Sequence, residues 1–583
     1  MDFASVASYK FLLDCLLAAN GSKHGSVARL VIPRSRGYIV RADTISLRLL
    51  DCPGVSSASS FSEPLQFYEG NSVPFDKLGQ LSNVLSASIG GIILEKSELS
   101  SKMPDLQLEL LDAELHNRLS FPWLSSQNSK RRTLALVEGG RNSPDHGGNG
   151  STVFKAAEAL GIDMVVLDNA GHWLDGPRWA HWRKAFIPIE CTLQSDIVFT
   201  NRVVKAIRSY DGHLDGLVTF CDHYKEPVAA AALLLSLPTY DPSAFALATD
   251  KFKLSLFERH EAYRASSAEE ASSIIQAQSL EFPLIMKPCT GFLSEGVFRL
   301  ENFEQLKAGV QAIDPDRHGK DFALERYCEG PEVDANFVLC DGEVLFFEAS
   351  DEFPKGADVN GDGKVNSFIE LANVLPSKLP ESELILLRNS LHRSLLNIGF
   401  QDGIFHLEAR VANSSMEYQV NDTLLDLNTR SVPAKEVPSA WLIEINPRPP
   451  GIQASDAIKH TYGIDYWGLG LLFALEDKTR VRHLSCPFAQ GAQYWSEMVF
   501  IPVEKGGIYD AGDACVELFE RHSWLSDHVS WYHCFLSRGD HVVDPSKGIN
   551  SWVAHFNVFS RVSRVHVLEI ADFVRKEIRF SIL

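Results

Sequence analysis

The chain has 583 residues, enough for roughly four domains at about 150 residues each. Its 55 Lys and Arg against 75 Asp and Glu give a formal net charge of −20. That excludes phosphate-backbone binding as a main task, because nucleic-acid binders need a basic face to displace counterions. A 45% hydrophobic and 22% charged composition without a run of about 18 apolar residues predicts a globular protein with no membrane span.

Ten cysteines occur without any Cys-x-x-Cys pair, which predicts reduced thiols in a cytoplasmic protein rather than a disulfide framework or a zinc site. Near the start, Phe11–Ala19 is apolar apart from Asp14 and lacks a basic flank, so it is expected to be a core helix and not a signal peptide. Residues 1–130 carry no readable motif and are taken as an N-terminal domain without an assigned task. The polar segment Glu95–Ser129 is expected to hold its boundary.

From Arg132 the texture changes. The run Thr133–Val137, a Gly-rich loop, Ser151–Leu160 with helical spacing, and Asp163–Leu167 read as strand, loop, helix and strand. Such a unit implies a parallel sheet, which Asp196–Val198, Gly216–Phe220 and Pro227–Leu237 are expected to extend to about residue 245. The loop Gly139–Gly150 lacks G-x-G-x-x-G spacing. It reads as a flexible connection capped by Ser151 or Thr152, with a substrate site at the helix N-terminus as the other reading.

Beyond residue 246 the strands alternate and are expected to be antiparallel. In Phe282–Phe298 an apolar strand delivers Lys287 to a loop holding Thr290, Gly291, Ser294 and Gly296. Glycines admit phosphate oxygens to backbone N–H groups and the lysine adds a point charge, although a plain hairpin would read the same way. In Phe322–Glu332 a strand carrying Glu325 bends at Gly330-Pro331 before Glu332, which could free backbone groups for an adenine edge and Glu332 for ribose, or be an edge strand and turn. Gly403–Val411 places His406, Glu408 and Arg410 at spacing two. Trp441–Arg448 does the same for Glu444, Asn446 and Arg448, with Ile443 and Ile445 expected on the opposite, apolar face. If these strands pair, two carboxylates and an amide oxygen form a hard oxygen set suited to Mg²⁺, with Arg448 able to hold an oxyanion beside them.

Taken in order, these pieces make residues 246–475 resemble the ATP-grasp superfamily of ADP-forming ligases. Asp250-Lys251 resembles the lysine segment that opens its ATP-binding region, Lys287-Pro288 the second ATP lysine, and Thr290–Gly296 the mobile glycine loop. Glu325 through Glu332, with Cys328 inside it, resembles the adenine hinge of D-alanine–D-alanine ligase. The resemblance implies Mg²⁺, or Mn²⁺, on Glu408, Glu444 and Asn446. It also implies an anion-holding role for Arg448, with His406 and Arg410 beside it in the candidate catalytic set and His406 structural rather than a general base. The expected fold is multidomain α/β: a parallel α/β domain at 131–245, an α+β ATP-grasp domain at 246–480, and a C-terminal α+β cap at 481–583. The nearest look is to L-amino-acid ligases and carnosine synthase, which makes Glu370 a candidate for contacting a substrate amino group.

The activity this implies is an ATP-dependent, ADP-forming ligation of a small carboxylate to an amine through an acyl phosphate. A homo-oligomer is left open. The rival readings are a degenerate nucleotide-binding scaffold and a ligase with a thiol or bicarbonate co-substrate. Three departures bear on the substrate: Pro449-Pro450 where relatives turn on glycine, the long polar insertion at 412–440, and Asn373 where amino-acid ligases carry histidine. Asp358-Val-Asn360-Gly-Asp362-Gly363 opens like an EF-hand loop, but Ile369 stands where a bidentate Glu is needed. Calcium is therefore not expected, and substituting Asp358 or Asp362 is expected to leave stability unchanged.

Overall fold

The computed structural model describes residues 6–20, 27–70, 81–94, 104–140, 142–147, 150–192, 196–358, 368–421, 423–545 and 549–583. The N-terminal 130 residues form two three-stranded sheets, one of Ala28–Val31, Gly90–Leu94 and Val55–Ser60, the other of Phe67–Tyr68, Gly37–Ile39 and Leu124–Ser125. The expected helix is present as Val6–Asn20. It buries Phe11 while Leu16 and Leu17 stay 64% and 70% exposed, so it is a helix on the core rather than within it. The polar segment at 95–129 is built around the helix Pro104–Leu119, with residues 95–103 outside the described set.

This N-terminal part is fastened to the rest by buried arginines. Arg48 donates to the carbonyls of Gly463 and Cys486, each at 3.0 Å, and Arg118 donates to the Tyr494 hydroxyl at 2.7 Å. Arg48, which pairs with no carboxylate among the described residues, can be buried this way because its fork of N–H groups matches several carbonyl oxygens at once.

The parallel sheet has the strand order Gly216–Val218, Arg132–Val137, Ile162–Asp168 and Ala185–Pro188. Ala185–Pro188 supplies the outer strand. Asp196–Val198, read as a strand, is instead a turn: Asp196 caps it, its side chain accepting from Val198 N at 3.0 Å and its carbonyl from Phe199 N, and the helix Phe199–Arg208 follows. Three residues, only two of them apolar, are too few to separate a strand from a helix entry by pattern alone.

Two antiparallel sheets make the centre. The smaller has the order Ala262–Ala265, Phe322–Arg326, Leu284–Pro288 and Phe298–Leu300. The larger has eight strands in the order Ser439–Asn446, Gly403–Ala412, Glu332–Cys340, Glu343–Glu352, Ala372–Leu375, Trp495–Pro502, Trp552–Ser560 and Val529–Cys534. The last three strands come from residues beyond 480, so the C-terminal segment completes the same sheet. Within the 412–440 insertion, Met416–Asn421 and Leu424–Thr429 pair as a hairpin.

Side-chain alternation sets the two faces of the large sheet. Val333, Ala335, Phe337 and Leu339 pack with Phe405, Leu407, Ala409 and Val411 against Leu387, Leu391 and Leu395 of the helix Glu381–Ile398. Removing one of these leucines would cost about 2–5 kcal/mol. The even-numbered residues of the same strands therefore face the other way, and among them are Glu332, Asp334 and Glu408, with His406 and Arg410.

Candidate active site

Register brings the polar faces into rows. Glu408 stands opposite Asp334 on one side and Glu444 on the other, and His406 stands opposite Asn336 and Asn446. A bulge interrupts the 403–412 and 439–446 pairing after Glu408. One extra residue re-aims the side chains that follow, so Leu442 and Ile445 enter the core while Ile443 lines the cavity beside Glu444. This corrects the sequence expectation that Ile443 and Ile445 share a face.

The rows form the floor of a cavity of about 670 Å³ between the two sheets. At one end, Lys251 opens the helix Lys251–Phe257, whose N-cap Asp250 accepts from Lys253 N, and its Nζ lies 2.6 Å from Glu444 Oε2. Lys287 ends its strand with Nζ 3.0 Å from Glu325 Oε1 and 3.5 Å from the Ile443 carbonyl. Burial opposes ionisation of both Lys251 and Glu444, but each outweighs it for the other, raising the lysine and lowering the carboxyl. Among the described residues Glu408 has no cation so close. Burial, then Glu444, push its carboxyl up to about 7.

His406 is fully buried and burial, with Arg448 nearby, lowers it to about 3, so it is neutral. Its Nδ1 lies 3.0 Å from Asn336 Oδ1, and Asn336 Nδ2 donates to Glu348 Oε1 at 2.5 Å. That chain requires the proton on Nδ1 and leaves Nε2 as an acceptor. Ligand atoms of Asp334, His406 and Glu408 all lie within 4.8 Å of one another.

The hinge between the sheets spans 327–331. Gly330 has φ +130°, and a Cβ there would stand 2.1 Å from the Val411 carbonyl oxygen, so only glycine lets the chain cross from one sheet to the other. Glu332 accepts from Arg410 at 2.6 Å and from Lys355 at 2.8 Å. Burial opposes its charge, but these two cations hold it below the usual carboxylate range. Arg410 also pairs with Asp358 at 2.6 Å and donates to the Tyr327 hydroxyl and the Cys328 carbonyl. It thus clamps the hinge, a different task from the catalytic one expected of it, and Glu332 is engaged by two cations where it was expected to await a ribose.

Arg448 follows the 439–446 strand, and its Nε lies 2.6 Å from Asp222 Oδ2, in the first turn of the helix Asp222–Leu234 of the parallel-sheet domain. Of the glycine loop, Gly291 and Ser294 line the cavity, as do Glu325, Cys328 and Glu370. Thr290 is exposed and outside the lining, and Gly296, at φ +72°, turns the chain against Pro288. The EF-hand-like loop is resolved differently from the sequence expectation at its first position. Asp358 belongs to the Arg410 ion pair, so substituting it is expected to cost stability; Asn360 and Asp362 lie outside the described residues.

Sequence reading missed Asp334, Lys355, Glu352 and Asp222. For Asp334 a signal existed: Glu332, Asp334 and Asn336 repeat at spacing two inside an apolar strand, as in the 403–411 segment. Lys355 and Asp222 sit in a loop and at a helix start, where no periodicity marks a residue.

Glu408, Glu444 and Asn446 share one face and offer carboxylate and amide oxygens, a set that suits a magnesium-sized cation once the Asn446 amide, whose nitrogen faces Glu444 and Asp222, turns its oxygen inward. A family model for the ATP-grasp N-terminal domain matches residues 154–239. Over 577 residues the chain is 43% identical to the ATP-grasp enzyme fsqD of Aspergillus fumigatus, covering 97% of this chain and 100% of that protein. The chain therefore belongs to the ATP-grasp enzymes. It is also 25% identical over 340 residues to carnosine synthase 1 of Homo sapiens, covering 54% of this chain and 36% of that protein. In fold it is similar to L-amino acid ligase from Bacillus licheniformis, with TM-score 0.58, 18% identity, and 78% of this chain and 100% of that chain covered. Among the described residues no helix is long and apolar enough to cross a membrane.

Proposed function

We propose that the protein joins a small carboxylate to an amine, using ATP and releasing ADP and phosphate. The observation that carries this reading is the row Asp334–Glu408–Glu444, with Lys251 and Arg448 at its edges, on the floor of a cavity that continues well past the phosphate end. A cavity serving only a nucleotide would have no use for that extension. The carnosine synthase and amino-acid ligase similarities point to the same chemistry.

Lys251 and Lys287 would exchange their carboxylate partners for phosphate oxygens of ATP. Glu408, Glu444 and Asn446 would hold Mg²⁺, which when bound neutralises charge on the phosphate chain. A substrate carboxylate oxygen then bonds to the γ-phosphorus as the bond to the ADP oxygen breaks. The amine nitrogen attacks the resulting acyl phosphate, phosphate leaves with the carbon–oxygen pair, and the nitrogen gives up its proton. Arg448 would hold the oxyanion of the tetrahedral adduct. Positioning and charge complementarity do most of this work, as in phosphoryl transfer generally.

The test is ADP release from MgATP with pooled carboxylates and pooled amines, followed by mass spectrometry of the product. ADP that appears only when both pools are present, with a new amide mass, is expected. ADP release that depends on a thiol or bicarbonate instead would replace this reading.

A further inference from the structure

The cavity floor can be followed past the metal-binding face. Strands lie about 4.8 Å apart, so moving from Glu408 one strand reaches Asp334, and the next carries Glu352, which stands opposite Glu332 and two residues along from Ser350, the partner of Asp334; two more strands, through Asn373, reach Met498 and Phe500. The floor therefore changes character twice: a metal-binding end, a carboxylate middle roughly 5–10 Å away, and an apolar far end roughly 10 Å beyond that.

The middle is short of positive charge. Lys355 is shared between Glu332 and Glu352 at 2.8 Å each, and Arg410 is spent on Glu332 and Asp358. Among the described residues neither Asp334 nor Glu370 pairs with a basic side chain; Asp334 accepts only from Asn373, at 2.8 Å. Glu352 is 5% exposed, lines the cavity, and gives Oε1 to Lys355 while its Oε2 has no partner. An acceptor left alone in a buried place is costly, and a donor arriving with a ligand would recover that cost.

The far end is walled by Phe368, Met498, Phe500, Phe535 and Trp552, the first three at most 6% exposed. The Phe500 and Trp552 rings stand 5.7 Å apart, and Trp552 Nε1 donates to the Glu370 carbonyl at 2.9 Å, which ties this wall to the carboxylates. These five side chains are apolar apart from the indole N–H of Trp552.

We propose that this half of the cavity takes a substrate with a primary ammonium on a bulky apolar skeleton, the ammonium against Asp334, Glu352 and Glu370 and the skeleton against the Phe500–Trp552 wall. The inference rests on the ligase reading and gives it a substrate class. An apolar amino acid whose carboxylate is activated and an apolar amine that accepts the acyl group share this chemistry.

The full chain with MgATP would be titrated calorimetrically with three sets of probes: phenylalanine and leucine, phenethylamine, and N-acetylphenylalanine, with serine and aspartate as polar controls. Binding of the free ammonium compounds at least ten-fold tighter than of N-acetylphenylalanine and of the polar controls is expected. Glu370→Gln should weaken them about ten-fold with ATP-analogue affinity unchanged, and Trp552→Ala should weaken phenylalanine more than leucine. Equal binding of the N-acetylated compound, or tighter binding of serine or aspartate, would overturn the proposal. Product mass separates the two roles: phenylalanine acting as the acid yields an amide that keeps its free amine, whereas phenethylamine yields an N-acylated product. If the ammonium compounds bind as expected but no partner elicits ADP, the ligase reading fails and this assignment stands. If ADP and amide form only with acids and amines outside this class, the reverse holds.

Discussion

Asp222 and Arg448 meet at 2.6 Å although 226 positions separate them, one at the start of a helix of the parallel-sheet domain and the other at the exit of a metal-face strand. Burial disfavours the charge on Arg448, and the Asp222 carboxylate outweighs it, so the guanidinium stays firmly protonated. The anion that holds this cation beside an acidic face is the protein's own. A substrate carboxylate or an oxyanion would have to share the guanidinium with Asp222.

Arg448→Met is therefore expected to lower amide formation by about 10²–10³-fold, the usual cost of losing an oxyanion contact, with little change in nucleotide affinity. Asp222→Asn should cost less, and the double variant should be no worse than Arg448→Met, because Asp222 acts through Arg448. Product formation by mass spectrometry and ATP-analogue binding by calorimetry check this. Parallel loss of both would move Arg448 into the nucleotide site.

Glu444 is held ionised by Lys251 and faces Glu408 across the strand pair. Glu444→Gln should reduce ADP release on the order of 10²-fold or more while circular dichroism remains that of the folded protein. Near-normal turnover in a folded variant would remove Glu444 from the metal set.

Glu348 gives a pH signature. It is buried, accepts from Asn336, leaves Oε2 without a partner, and burial pushes its carboxyl up to about 8. The unfolded chain loses this proton near pH 4.3, so the folded protein binds more protons between that pH and about 8. Its contribution to stability is full below the unfolded value and declines as pH rises through that window. Glu348→Gln keeps an oxygen for Asn336 and cannot ionise, so its Tm should gain on the wild type between pH 5 and pH 8. A difference in Tm that does not vary with pH would contradict the assignment.

Asp358 pairs with Arg410 at 2.6 Å and accepts from the Tyr327 hydroxyl at 2.7 Å. Arg410 keeps Glu332 when Asp358 is lost, so Asp358→Ala should cost about 1–3 kcal/mol, less than breaking an isolated buried pair. The fall in Tm should be the same with calcium and with a chelator. A loss confined to calcium-containing buffer would make this a calcium loop after all.

What the sequence determined by itself was local and periodic. Spacing two places His406, Glu408 and Arg410 along one strand and Glu444 and Asn446 along another, with Arg448 just past its end, and Leu407, Ala409 and Ile445 between them fill the core with the 381–398 helix. Lys287 at a strand end and the Gly330-Pro331 bend could be read for the same reason, since each depends on a few neighbouring residues. Tertiary structure alone decided which rows meet and what each charge is spent on. The bulge after Glu408 turned Ile443 toward the cavity, and the pairing of the 332–340 strand brought Asp334 beside Glu408. Arg410 became a hinge clamp because Glu332 and Asp358 converge on it, and Arg448 acquired Asp222 from a helix of the parallel-sheet domain. Electrostatic partnership depends on distance through space, and a buried charge takes the nearest opposite charge that folding brings to it, a choice that no spacing along the chain encodes.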